Sequence, residues 1–497
     1  MPGVSVIIEN TTTGASTDFD GKYEIDITSN NQAVLQFSYV GYSTQNITVG
    51  NQSTIDVVMI ADISALDEIV LVGYGSSRKK DLTGATGRVK AAEIAKQPIV
   101  RVEQALQGTT SGVWVSSNSG QPGGGMDVKI RGASSITGAT GPLYVIDGFV
   151  GGDIGGLNPN EIQSMEILKD SSATAIYGSR GSNGVVLITT KSGKEGALKV
   201  EFGTWLSHGK AVNNIDLLNA GDFATVVNAT DLFSSTTPSF TDAEIADYYA
   251  NGGTDWQKEL QRSTFTQNYN LAISGGSSKV KYRFSMNHLD EPGILINQDF
   301  KKTVFRSNAD FAISDKVNLK VNLTGFQTKG RNNERGGDLG EPFAQANIWS
   351  PLSPVRDANG DYIGTTGYAS IGYNQVAEQN SRHIDSNRRN FTATTVFRWD
   401  ITDNLSFNTT NAYSSSNNRN SEFRGLNTDH GLINGSARAS HEAGEGYSFL
   451  NSNYFVYEKD FGDHSVNVTV LYEQQESEYF SFRANALDLS TEALTYY

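Results

Sequence analysis

Residues Pro142 to Gly193 read PLYVIDGFVGGDIGGLNPNEIQSMEILKDSSATAIYGSRGSNGVVLITTKSG. Two apolar, β-prone runs, Leu143–Ile146 and Val185–Thr190, bracket the stretch and predict buried strands. Between them, the pattern over residues 160–168 predicts a short amphipathic helix. Gly178, Gly181 and Gly184 recur every three residues, which suits turns with positive φ or close backbone contact. No Lys-Ser/Thr follows these glycines and no long helix opens from them, so neither a P-loop nor a dinucleotide fingerprint is present. The stretch therefore reads as a compact α+β unit closed by a glycine-rich turn.

Outward from it, residues 81–141 continue the same unit. A helix is expected from Val102 to Leu106, ending at Gly108. Strands are expected over residues 113–116 and 128–130, around the Gly123-Gly124-Gly125 loop. Residues 1–60 alternate at Val4, Val6 and Ile8 and again at Leu35, Phe37 and Tyr39, which predicts a small antiparallel β domain with a further strand over residues 23–27. Asp18-Phe19-Asp20-Gly21 has the opening of a calcium loop, but the downstream Glu at loop position 12 is missing, and turn chemistry accounts for the run. Residues 61–80 form a linker around Asp67-Glu68-Ile69-Val70-Leu71-Val72-Gly73-Tyr74. That apolar run is either another strand of the preceding domain or a segment left free for strand addition by another protein.

From residue 197 the chain changes to long alternating strands. Tyr269, Leu271 and Ile273 share a face, as do Val280, Tyr282, Phe284 and Met286, with Lys281, Arg283 and Ser285 on the other. The same two-residue alternation runs through Val317 to Leu323, through Phe391, Phe397 and Trp399, and through Val466 to Tyr472. Such strands fit a membrane barrel with its apolar face toward lipid, or a soluble sandwich with its apolar face inside. The connections separate these readings. Short turns at Gly275-Gly276-Ser277, Ser314-Asp315-Lys316, Thr402-Asp403-Asn404 and Gly462-Asp463-His464 alternate with long connections near residues 209–264, 290–300, 331–388 and 419–446. Barrels alternate short and long connections in this way. About nine strands are expected here.

Composition narrows the function. Net charge is −15 and 37% of the residues are hydrophobic. The acidic balance argues against nucleic acid as partner, because phosphate binding needs a basic face. No run of about 18 apolar residues exists to make a transmembrane helix. Cysteine is absent, which removes disulfides and thiolate metal sites. His441-Glu442 lacks a second His at zincin spacing, and no Gly-x-Ser-x-Gly elbow occurs, so no enzyme, metal or cofactor is expected.

With these residues on the page, the chain resembles the SusC/RagA branch of TonB-dependent outer-membrane transporters. Residues 142–193 resemble their plug domain, with Asp170-Ser171-Ser172-Ala173 where siderophore receptors carry Gly-Pro. Residues 17–45 resemble the carboxypeptidase-regulatory-like sandwich that precedes such plugs. The resemblance implies a mainly β fold: a truncated sandwich over 1–60, a linker with a TonB-box-like segment over 61–80, and a plug over 81–194. Residues 195–497 would be the N-terminal part of a transmembrane β-barrel of about 22 strands. By that count roughly thirteen strands are missing, about 400 residues at the spacing seen here, and the chain is expected to be a fragment.

The resemblance also implies roles. Asp67 to Tyr74 would contact TonB. Arg131, Gly132, Asp147, Gly148, Asp170, Tyr177, Gly178, Arg180, Gly181 and Gly184 would hold the plug loops. Glu166 and Lys169 would join the plug–barrel interface if they face the wall. Trp349, Tyr362, Tyr368 and Tyr373 either stack on a ligand or pack locally. Expected partners are TonB with its inner-membrane motor proteins, a SusD-like surface lipoprotein, outer-membrane lipid and a glycan or peptide substrate. The expected location is the outer membrane of a Gram-negative cell, with the N-terminal domain and TonB box in the periplasm. The alternatives are a siderophore or cobalamin receptor, and a secreted β-rich adhesion or scaffold protein that transports nothing.

Overall fold

The computed structural model describes residues 3–8, 11, 13–27, 33–39, 44–50, 52–59, 69–72, 75–78, 86–132, 138, 140–170, 174–212, 214–331, 342–364, 373–462 and 464–492. It divides into two compact units, Met1–Ala85 with Asp170–Tyr177, and Thr86–Lys169 with Gly178–Tyr497.

In the first unit, strands β1 (Ser5–Ile8), β2 (Gly14–Ser16), β3 (Val34–Ser38) and β4 (Gln45–Thr48) form one antiparallel sheet in the order β2-β1-β3-β4. The alternating residues Val4, Val6, Leu35 and Phe37 make its core. Residues 23–27, expected as a strand, lack ladder pairing; Tyr23, Ile25 and Ile27 instead pack on that core as an extended cover. The Asp18 carboxylate accepts the backbone N–H groups of Asp20 and Lys22 at 2.9 and 2.8 Å. Its oxygen therefore serves its own turn, as turn chemistry requires. Strand β5 (Ile69–Val72) pairs with β6 (Gly75–Arg78) as a separate two-stranded hairpin. It neither joins the four-stranded sheet nor stays unpaired.

The second unit opens with the sheet β11-β10-β13-β12-β7. Its strands are β7 (Thr86–Lys90), β10 (Leu143–Ile146), β11 (Phe149–Val150), β12 (Ile162–Leu168) and β13 (Val185–Thr190). The two expected strands, β10 and β13, pair with each other in parallel. The expected helix over residues 160–168 is instead strand β12, lying between β13 and β7. Met165, Ile167 and Leu168 are all fully buried. A strand covered on both faces carries apolar residues in a run, and a short run of that kind mimics a helix. Only Pro159–Glu161 makes a helical turn, with the Asn158 side chain accepting the Asn160 N–H at its start. Strands β8 (Val113–Ser117) and β9 (Met126–Ile130) form a hairpin beside this sheet, as expected.

Nine strands then follow in strict sequence order, every neighbouring pair antiparallel. They are β14 (Gly196–Gly209), β15 (Thr264–Gly276), β16 (Val280–Pro292), β17 (Asp299–Ser314) and β18 (Val317–Arg331), then β19 (Arg382–Thr402), β20 (Leu405–Arg424), β21 (Ala437–Phe461) and β22 (His464–Leu489). Strands β19, β20 and β21 extend well past the expected loop boundaries, into residues 382–388, 419–424 and 437–446.

One face of this sheet is apolar and open. Its register aligns Phe202, Leu271, Met286 and Phe305 across four strands, and Trp399, Phe407, Phe455 and Val470 across four others. Phe202 is 69% exposed and Leu271 41%. On β19, Phe391 and Trp399 mark the two edges of this belt. They stand eight residues apart, about 26 Å along the strand at about 3.3 Å per residue. At the roughly 40° tilt of such strands this is about 20 Å along the membrane normal, within the roughly 25 Å apolar band of outer-membrane barrels. A soluble sandwich would have buried this face. The opposite face is polar, and the plug sheet packs against it.

Candidate functional site

The inner face of β17 shows how the sequence builds the seam between plug and barrel wall. Alternate residues Phe300, Lys302, Arg306 and Asn308 turn inward, and each meets a plug segment. Lys302 Nζ donates to the Leu157 carbonyl at 2.8 Å. Arg306 pairs with Asp147, which also accepts the Thr190 backbone N–H and hydroxyl at 2.9 and 2.8 Å. Asn308 donates to the Lys191 carbonyl at 2.7 Å. Asp147 sits at φ 48 and Gly148 at φ 89, so the turn after β10 presents the carboxylate toward the wall.

On β16 the inward residue Arg283 grips Glu161 with two hydrogen bonds of 3.0 and 2.8 Å and donates a third to Glu201 at 3.0 Å. Glu161 and Arg283 are both buried. A buried pair adds little net stability over an apolar contact, yet removing one partner costs about 3–5 kcal/mol. On β15, Asn270 accepts from the Asn158 amide at 2.7 Å. Asp153 pairs with Arg388 of β19 at 2.6 Å, with Arg388 43% exposed; such a half-open pair contributes at most about 1 kcal/mol.

The Gly123 loop is held from three directions. Its N–H donates to Glu291 at 3.1 Å, its carbonyl accepts from Arg101, and the Phe300 ring lies on its α-carbon. Gly123 has φ +66, and a Cβ there would come within 2.3 Å of the Phe300 ring. Gly123→Ala is therefore expected to destabilise the loop by about 1–3 kcal/mol through combined strain and overpacking. Limited proteolysis of the full-length protein at residues 118–125 will read this as faster cleavage.

At the end of the strands that Glu291 and Phe300 mark, helices α1 (Ala220–Phe233), α2 (Asp242–Asn251), α3 (Trp256–Glu259), α4 (Pro342–Ile348), α5 (Gln375–Ser381) and α6 (Asp429–Asn434) sit in the long connections. Trp256 and Trp349 meet edge to face at 5.8 Å inside their core. Glu378 of α5 accepts the Asp429 N–H at 2.7 Å, within reach of Arg382 and close to Arg424 and Glu422. Burial first, and the Asp429 charge second, push the Glu378 carboxyl above the usual carboxylate range. A raised folded pKa means the folded state holds the proton more tightly than the unfolded chain. This contribution is thus full below about pH 4.3, the ordinary Glu value, and is lost as pH rises through the folded pKa. Glu378→Gln should keep the acceptor for Asp429 and flatten that pH dependence. Thermal melts of the full-length protein from pH 4 to 8 will check it.

The TonB-dependent receptor plug domain family matches residues 78–185, and the CarboxypepD_reg-like domain family matches residues 1–71. TonB-dependent receptor P3 of Formosa agariphila is 36% identical over all of this chain and 48% of its own length. TonB-dependent receptor SusC of Bacteroides thetaiotaomicron is 34% identical over 74% of this chain and 36% of its own. The chain belongs to the SusC/RagA-type TonB-dependent receptors. Among solved structures, the RagAB peptide importer in its open-open state superposes with a TM-score of 0.74 at 22% identity, over 86% of this chain and 51% of that one. That likeness concerns the fold. The chain spans about half the length of the curated relatives it matches.

In this SusC/RagA-type receptor the sequence-based site residues divide clearly. Asp147 and Arg180 reach the wall: Arg180 bonds Glu473 and Gln475 of β22 at 2.6 and 3.2 Å. Arg131, at φ 58, stays in the plug, its N–H on the Gly112 carbonyl, with Gly132 at φ 101 beside it. Glu166 and Lys169 do not face the wall; Glu166 pairs with Arg88 across the plug sheet at 3.1 Å, and Lys169 donates to the Ser111 carbonyl at 2.6 Å. Strand β12 accounts for this, since it is an inner strand of the plug sheet rather than a surface helix. Gly178 and Gly184 have the expected positive φ, whereas Gly181 does not. A Cβ on Gly184 would also strike Ile130 at 2.7 Å. The Asp170 carbonyl accepts the Thr174 N–H, and Tyr177 is buried.

Of the loop aromatics, Trp349 is core, Tyr373 packs against that core, and Tyr362 lies under the Arg356 guanidinium at 3.7 Å. Tyr368, Asp67, Glu68, Gly73 and Tyr74 lie outside the described residues. Sequence reading missed Glu161, Asp153, Lys302, Arg306 and Arg388. Lys302 and Arg306 of β17 and Arg388 of β19 carried a signal as charges on inward strand faces, whereas Glu161 and Asp153 lie in plug turns with no such pattern. Arg283 was placed on the correct face without its partner.

Proposed function

We propose that the full-length protein imports oligosaccharides or peptides across the outer membrane, with energy delivered by TonB. One observation carries the reading: a nine-stranded wall apolar toward the outside holds a plug on its polar face through buried ion pairs. A plug docked by charges in a lipid-facing wall blocks a pore at rest and needs work to move. The segment Asp67 to Tyr74 is the proposed TonB contact, reached by strand addition. The outer helices and loops would carry a SusD-like lipoprotein as a lid, with the sandwich and TonB box in the periplasm. Glycans and peptides are the two proposed substrate classes; RagAB, alike in fold, is a peptide importer. Deleting the full-length gene and comparing growth on single oligosaccharides and peptides will test it. Selective loss of growth on one such nutrient supports import. Unchanged growth on all of them, with recovery of the protein in the soluble fraction, would favour the adhesion or scaffold reading.

A further inference from the structure

We infer that the full-length receptor binds the amino-terminal end of a peptide between plug and wall, with Glu103 taking its ammonium group. The inference rests on the import reading above and chooses between its two substrate classes. A cavity of about 250 Å³ lies at the seam, between the helical turn Val102–Leu106, the Gly123 loop and strands β16 to β19. It has room for several waters, so it takes the end of a chain and not a whole oligomer. Five charged side chains border it: Arg101, Glu103, Glu291, Lys302 and Arg388. The Phe300 and Phe326 rings add apolar wall.

Three of these charges are already engaged. Glu291 accepts the Gly123 N–H, Arg101 donates to the Gly123 carbonyl, and Arg388 pairs with Asp153. The other two have capacity to spare. Glu103 is 8% exposed and Lys302 6%. Among the described residues no donor reaches the Glu103 carboxylate, and the two side chains do not pair with each other. Lys302 has three N–H groups and directs one to the Leu157 carbonyl. Buried charges without direct partners are costly, and a ligand carrying both an ammonium and an acceptor oxygen satisfies the two together. The amino-terminal end of a peptide holds that pair on neighbouring carbons, the ammonium for Glu103 and the carbonyl oxygen for Lys302. A neutral oligosaccharide would hydrogen-bond to both and leave neither charge paired. Of the described residues lining the cavity, Thr328 is the only uncharged one with a hydrogen-bonding side chain, so little of the lining is matched to hydroxyls alone.

The probes are a lysine-free tripeptide mixture with free amino termini, the same mixture N-acetylated, and a mixture of neutral oligosaccharides. Each is offered to the full-length receptor purified from its own outer membrane. Retained ligands are identified by mass spectrometry and their affinities measured by calorimetry. The receptor is expected to retain free-amino tripeptides and to bind their N-acetylated forms at least tenfold more weakly. Glu103→Gln keeps the side-chain shape, and is expected to weaken free-amino binding at least tenfold while changing the acetylated forms little. Acetylation alters the ligand and not the protein, so its effect is read even if the variant folds poorly. Equal retention of free and acetylated peptides, retention of oligosaccharides alone, no retention, or unchanged affinity in a folded Glu103→Gln would overturn the inference. TonB-dependent uptake is scored separately in cells. Peptide bound through Glu103 but never taken up would count against import and not against the site. Oligosaccharide uptake without peptide binding would count against the site and leave import standing.

Discussion

Arg283→Met in the full-length receptor is expected to loosen the plug by about 3–5 kcal/mol, the cost of leaving one member of a buried pair alone. Methionine keeps the apolar volume of the arginine stem. It leaves Glu161 buried and stripped of two charge-assisted hydrogen bonds of 3.0 and 2.8 Å. Glu201 keeps Lys199 at 2.6 Å, so it is the lesser casualty. At about 1.4 kcal/mol per tenfold, the undocked plug gains roughly two to three and a half orders of magnitude in population. The readout is entry of large antibiotics that the intact outer membrane excludes, or ion leak in planar bilayers. Adding Glu161→Gln should recover most of the lost plugging, because the stranded charge is then gone. Tight plugging by Arg283→Met alone would show that the pair does not hold the seam.

Val70→Pro should abolish energised uptake while leaving surface expression intact. Val70 pairs with Ser77 in the β5–β6 hairpin, a sheet of two strands separate from every other. Proline removes a ladder N–H and fixes φ, which defeats pairing with this hairpin's partner strand and with an incoming one alike. An isolated two-stranded hairpin is marginal in water, so little folded structure is lost with it. Normal uptake by Val70→Pro would place energy coupling elsewhere in the chain.

The same two residue periods explain what the sequence disclosed and what it withheld. Strand alternation through Tyr269, Val280 and Val317 was enough to give nine strands and to place Arg283 inward, because lipid on one side and a wet plug on the other impose a strict period of two. Strand β12 escaped because both of its faces are covered, which erases the period and leaves a run resembling a helical stripe. The Glu161–Arg283 and Asp147–Arg306 pairs join residues more than a hundred positions apart. No local pattern carries such a pairing; it exists only once the sheet has folded around the plug. From sequence, Trp349 stands between stacking on a ligand and packing locally, and short helices give it a core of its own with Trp256.

We propose that this chain forms part of a plugged importer driven through TonB. Its most direct test is uptake of labelled oligosaccharides and peptides by cells carrying the full-length protein, with TonB present and with TonB deleted. Uptake of one of these nutrients is expected to require both the receptor and TonB and to stop when the proton-motive force collapses. Equal uptake with and without TonB would contradict it.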